Sequence, residues 1–103
     1  MSSYVLAFRG RPDRTPASGE DAAWGAWFAQ LGPAVTDFGH RVGASRLIPA
    51  ADAATQTGGA AASVLTGYIV ITAQGVDEAA RLAAGCPGLA HGVSVEVAEV
   101  LPA

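Results

Sequence analysis

An α+β fold, one sheet with helices packed on it, is predicted from three observations. Two short runs, Tyr4–Phe8 and Leu65–Ala73, are apolar and rich in strand-forming residues. Between them Trp24, Trp27, Phe28, Leu31, Val35 and Phe38 recur at three- and four-residue steps, the spacing of one helical face. After them, a second helical stretch opening on Asp77-Glu78 leads into Val93–Val100, where apolar residues alternate as on a strand. The chain has 103 residues, so residues 1–103 read as a single domain. Half the residues are hydrophobic and 15% are charged, a balance that a disordered chain does not show.

Each element has its own local reason. Tyr4–Phe8 lacks polar alternation and reads as a central strand covered on both faces. Arg9–Gly19 carries Gly10, Pro12 and Pro16 and reads as a loop. Ser18 stands three residues before Asp21, a weak capping pattern, and acids in a first turn suit the helix dipole. The aromatic helix is expected to run on to Phe38 with a kink at Leu31–Gly32, because Pro33 lies inside it, and to stop at Gly39. Val42–Ile48, ended by Pro49, reads as the second strand, and Ala50–Ser63 as a long hairpin connection. In Leu65–Ala73, Leu65, Gly67, Ile69 and Ile71 share one face and Thr66, Tyr68, Val70 and Thr72 the other. Gly85 closes the second helix, and Val93, Val95 and Val97 form one face of the last strand. The order β-α-β-β-α-β is that of a ferredoxin-like domain: a four-stranded antiparallel sheet with two helices on one face and the first and third strands in the middle.

Composition narrows the function classes. Six arginines against nine acids give a net charge of -3, which argues against nucleic acid as a partner. No apolar run reaches the ~18 residues of a membrane span, and Met1-Ser2-Ser3-Tyr4 does not start like a signal peptide; the expected location is the cytoplasm, with no membrane partner. The absence of lysine removes Schiff-base and phosphate-loop chemistry. The single cysteine, Cys86, and the two histidines, His40 and His91, stand in no metal-ligand spacing, so neither metal nor cofactor is expected. Cys86 before Pro87 reads as a small buried residue.

Two helices cover one face of a sheet, which leaves the other open. Four strands of about six residues present roughly 380 Å² there, comparable with the largest apolar patches that monomers carry. A homodimer that packs the two open faces together is the expected solution.

The segments Gly67-Tyr68-Ile69-Val70-Ile71-Thr72-Ala73, Glu78-Ala79-Ala80-Arg81-Leu82-Ala83, Cys86-Pro87 and Gly92-Val93-Ser94-Val95-Glu96-Val97 resemble, in that order, the YCII-related (DGPF) domain family. Tyr4-Val5-Leu6, Trp27-Phe28, Leu31-Gly32 and Asp37-Phe38-Gly39 extend the resemblance across nearly the whole chain. It implies ferredoxin-like subunits assembled as a dimeric α/β barrel. The Asp-Gly-Pro-Phe tetrapeptide of one branch is absent, and Gln56-Thr57-Gly58-Gly59 stands in its place. The resemblance also implies an aspartate just before the glycine that ends the first helix, paired with a histidine within that helix. Asp37 matches the aspartate, whereas Trp24–Phe28 holds no histidine.

The candidate catalytic residues are therefore Asp37, as an acid–base group in a last helical turn where the dipole disfavours its charge, and His40, as the substitute imidazole. Candidate ligand-binding residues are Arg46, a charge within the second strand able to clamp an anion, the phenols of Tyr4 and Tyr68 as cavity walls, and the loop histidine His91. Arg9, Arg11 and Arg14 read as a solvated loop cluster, and Trp24, Trp27 and Phe28 as core. The expected function is binding of a small polar or aromatic molecule in a cleft between the sheet and the end of the first helix, with acid–base turnover open. The alternatives are a catalytically inert interaction or regulatory module and, by fold analogy alone, a cofactorless monooxygenase-like enzyme.

Overall fold

The computed structural model describes residues 1–11, 13–51 and 63–102. Strand β1 (Ser2–Gly10) leads to helix α1 (Glu20–Leu31), strand β2 (Val35–Arg41), strand β3 (Val64–Ala73), helix α2 (Val76–Ala83) and strand β4 (Ser94–Glu99). Short 3-10 turns lie at Gly32–Ala34 and Pro87–His91. The sheet order is β2-β3-β1-β4, and every neighbouring pair is antiparallel. This is the ferredoxin-like arrangement, with β1 and β3 at the centre. Among the described residues no helix is long and apolar enough to cross a membrane.

The period of two along the central strands decides which face is buried. Tyr4, Leu6 and Phe8 of β1 and Ile69, Ile71 and Ala73 of β3 point to one side, and all six are buried. Trp27 and Leu31 of α1 and Ala79 and Ala83 of α2 pack onto them as one core. Small alanines let α2 lie close to the sheet, and Trp27 ties the two helices by donating its indole N–H to the Leu82 carbonyl at 3.2 Å. The shortest dimension of the molecule, 20 Å, is that of one sheet and one helix layer at roughly 10 Å each.

The first helix is shorter than its aromatic spacing predicts. It ends at Leu31, and Val35–Arg41 is strand β2 rather than a continued helix. Pro33 has no N–H for the next helical bond, and Gly32, at φ 53°, turns the chain out of the helix while its N–H caps the Phe28 carbonyl. Val35 and Phe38 sit at helical intervals by coincidence. Val35 pairs with Ile71 in the sheet, and Phe38 meets Phe28 from β2, with ring centroids 6.0 Å apart at 82°. Asp37 accordingly lies on a strand, and the dipole argument for it falls.

The strand expected at Val42–Ile48 is displaced by the same shift. The Val42 N–H still donates to the Thr66 carbonyl at 3.0 Å, but Gly43–Ala50 forms no strand, and Leu47 and Ile48 are exposed. Arg46 is on this exposed segment, not within a strand. At the helix start Ser18 makes no cap; Gly19 precedes the first turn, and Glu20 reaches back to accept the Ala17 N–H at 3.0 Å. Most of the expected hairpin connection Ala50–Ser63 lies outside the described residues.

Candidate functional site

A cavity of about 890 Å³ lies between the first half of α1 and the end of the sheet where β1 leaves and β3 enters. The helix-facing positions of the central strands run Tyr4, Leu6, Phe8 and then Gly10 on β1, and Ile71, Ile69 and then Gly67 on β3. Gly10 and Gly67 both line the cavity. Gly67 lets β2 lie close to β3, since a methyl group there would press on the His40 carbonyl oxygen, and Gly10 sits against Val93. The volume falls in the range of about 300–1,000 Å³ usual for small-molecule sites.

The walls are aromatic. Phe8 meets Trp24 edge to face, at 5.2 Å between centroids and 84°. Trp24 stands 5.9 Å from Phe28, which in turn meets Phe38. Trp24 and Phe28 are one helical turn apart and so share a face of α1. Unlike Trp27, which is buried in the core, they are half-buried, and Phe38 is 64% exposed. Gly88 makes this arrangement possible, since a methyl group there would press on Trp24 and on Val93.

At one edge stands a fixed ion pair. Arg14 donates from both terminal nitrogens to Glu20, at 2.7 and 2.8 Å, the bidentate geometry that favours arginine. Glu20 also accepts the Trp24 indole N–H at 3.0 Å, besides that of Ala17. Four donors thus surround one carboxylate whose side chain is 2% exposed. The Arg14 guanidinium, with Trp24 and the Ala17 amide, holds that carboxyl far below the usual range, and Glu20 in return raises Arg14. The pair holds Trp24, and through it the cavity wall, in place.

Strand β2 distributes its residues by two irregularities. Val35 faces Ile71, Asp37 faces Val70 and His40 faces Tyr68, so one extra residue intrudes in each interval. Phe38 and Gly39 together oppose Ile69, and Gly39 takes φ 59°. The Asp37 carboxylate accepts the Gly39 N–H at 2.7 Å and holds the bulge. In a regular strand Asp37 and His40 would fall on opposite faces. The bulge puts both on the open face, Asp37 opposite Val70 and His40 opposite Tyr68, with the His40 and Tyr68 rings 6.4 Å apart, and sends Phe38 to the helix side. Arg41, opposite the buried Gly67, is directed to the cavity side as well.

The expected site residues are thus divided. Asp37, His40 and Tyr68 lie on the open face, and of these His40 and Tyr68 also line the cavity, as expected of Tyr68. Tyr4 is 3% exposed within the core, where it packs rather than lines the cavity. His91, at the end of a 3-10 turn, and Arg46 are both exposed, and neither lines the cavity. Cys86 is buried, and burial pushes its thiol up, which disfavours the reactive thiolate. Among the described residues no three His, Cys, Asp or Glu side chains gather as a metal site would require. Arg14, Glu20 and Arg41 were not legible as site residues, because their meeting depends on a loop and a bulge. For Trp24 and Phe28 a signal existed: an aromatic face wider than the core needs.

Compared with known protein families, the chain matches no family model, and no curated protein matches it.

Proposed function

We propose that the protein binds a small molecule with a flat, apolar body in the cavity between α1 and the sheet, and that it does so in the cytoplasm as a homodimer. The observation that carries this reading is the aromatic wall of Phe8, Trp24, Phe28 and Phe38 along a cavity of about 890 Å³. Half-buried aromatic rings around a gap expose apolar surface that a flat ligand would cover. Acid–base turnover draws less support, because Asp37 is engaged with the Gly39 N–H and faces the other side of the sheet. Binding is the reading favoured here.

The dimer is supported by the open face. Val5, Ala7, Tyr68, Val70 and Ala98 form its half-buried centre, and Arg9, Glu96, Asp37 and His40 surround them. An apolar centre with a polar rim is the anatomy of a protein interface. The resemblance to the YCII-related family points to the same face-to-face assembly.

Thermal unfolding with a panel of flat aromatic molecules tests the cavity. At ten times its Kd a true ligand adds about 1.4 kcal/mol, or roughly 6–10 °C in Tm for a domain of this size. Phe38→Ala, which removes the exposed ring of the wall and leaves the core untouched, is expected to lower the shift while leaving the circular dichroism spectrum unchanged. A panel without any shift, or a shift undiminished in Phe38→Ala, refutes the assignment.

A further inference from the structure

We infer that the ligand of this cavity is a monocarboxylate, its anionic end set against Arg41 and Arg14 and its apolar body held by the aromatic wall. The inference rests on the reading of the cavity as a small-molecule site and adds the chemistry of its polar end. Three observations support it. First, Arg14 is locked in one orientation by Glu20, yet its side chain keeps 26% of its surface exposed at the cavity edge. A guanidinium has five N–H donors; Glu20 takes two and leaves three, held in fixed directions.

Second, Arg41 reaches the same cavity from β2. It stands opposite Gly67, whose lack of a side chain lets the two backbones lie close, and it makes no ion pair with a described residue. Third, the one buried carboxylate is unavailable to a cationic ligand. All four donors around Glu20 belong to the protein, and a 2% exposed side chain leaves no acceptor free. Asp21, the other acid at the rim, is exposed to water. Donors are therefore left over and buried acceptors are not, which is the chemistry of an anion site. Because Glu20 already offsets Arg14, the remaining charge suits one carboxylate rather than a dianion.

Quenching of the Trp24 and Trp27 fluorescence provides the measurement, with 3-phenylpropionate, 3-phenylpropionamide and 3-phenylpropylamine as probes of equal body and different end. The carboxylate is expected to bind about tenfold more tightly than the amide, the scale of one charge-assisted hydrogen bond. The advantage should vanish in Arg41→Gln, a substitution at an exposed strand end that leaves the Arg14–Glu20 pair intact. Equal binding of carboxylate and amide, tightest binding of the amine, or a carboxylate preference that survives Arg41→Gln overturns the inference and leaves the cavity reading standing. If none of the three probes binds at millimolar concentration but other flat aromatics shift Tm, the monocarboxylate is likewise excluded. Failure of every aromatic molecule refutes the cavity reading itself.

Discussion

Glu20 shows how much one side chain can organise. Its carboxylate joins a loop arginine, a loop amide and a helix tryptophan, and all of these bonds require it to be ionised. Folding therefore lowers its proton affinity below the ordinary value of 4.5. Stability gained this way is present above that value and drains away as pH falls through the lower folded value. Comparing Tm from pH 7 to pH 3 should show wild type losing ground faster than Glu20→Gln, so that a gap of several degrees at pH 7 narrows in acid. Parallel profiles would mean that the network contributes nothing to stability. Gly39 is the second decisive residue. A methyl group there would collide with the Tyr68 carbonyl oxygen, in a backbone conformation that side chains resist. Gly39→Ala should cost at least ~2 kcal/mol in denaturant unfolding; a cost below ~0.5 kcal/mol would show that the bulge is easily rearranged.

At the scale of elements, the boundary between α1 and β2 is the instructive one. Helical spacing from Trp24 to Leu31 was a sound guide, because those residues do share a face. Val35 and Phe38 continued the count without continuing the helix. Pro33 foretold an interruption, but proline is compatible with a kink as well as an end. What separates the two outcomes is whether a sheet edge waits for the residues that follow. Here β3 offers its free edge to Val35–Arg41, and pairing with it outweighs another helical turn. With β2 seven residues earlier than its expected place, Asp37 lies on a strand and Arg46 outside one. By contrast β1, β3, α2 and β4 were each legible to within two or three residues, since their apolar periods and terminal glycines agree with their tertiary environment.

On the scale of the whole molecule the two faces of the sheet have different tasks. One is closed by helices except at the cavity beside the first half of α1. The other is open, with Val5 and Val70 paired at its centre. If two copies meet there, a charge at that centre must separate them. Val70→Lys, placed across from Asp37 so that the strand pairing remains favourable, should convert a dimer into a monomer in sedimentation at micromolar concentration without loss of secondary structure. A wild-type monomer, or a Val70→Lys dimer, would disprove face-to-face pairing.

Periodicity is a property of the chain, and it sufficed to establish the α+β class, the antiparallel order and which residues of β1 and β3 are buried. The aromatic helix face was likewise present in the chain as letters. Its meaning was not. A cavity is the absence of atoms between elements far apart in sequence, and it appears only when α1, β1, β2 and β3 are placed together. The same holds for Arg14 beside Glu20, brought together through a loop, and for Arg41 above Gly67, set by a bulge. Local spacing carries no information on either, because loop closure and strand register are decided by the packing of the fold as a whole.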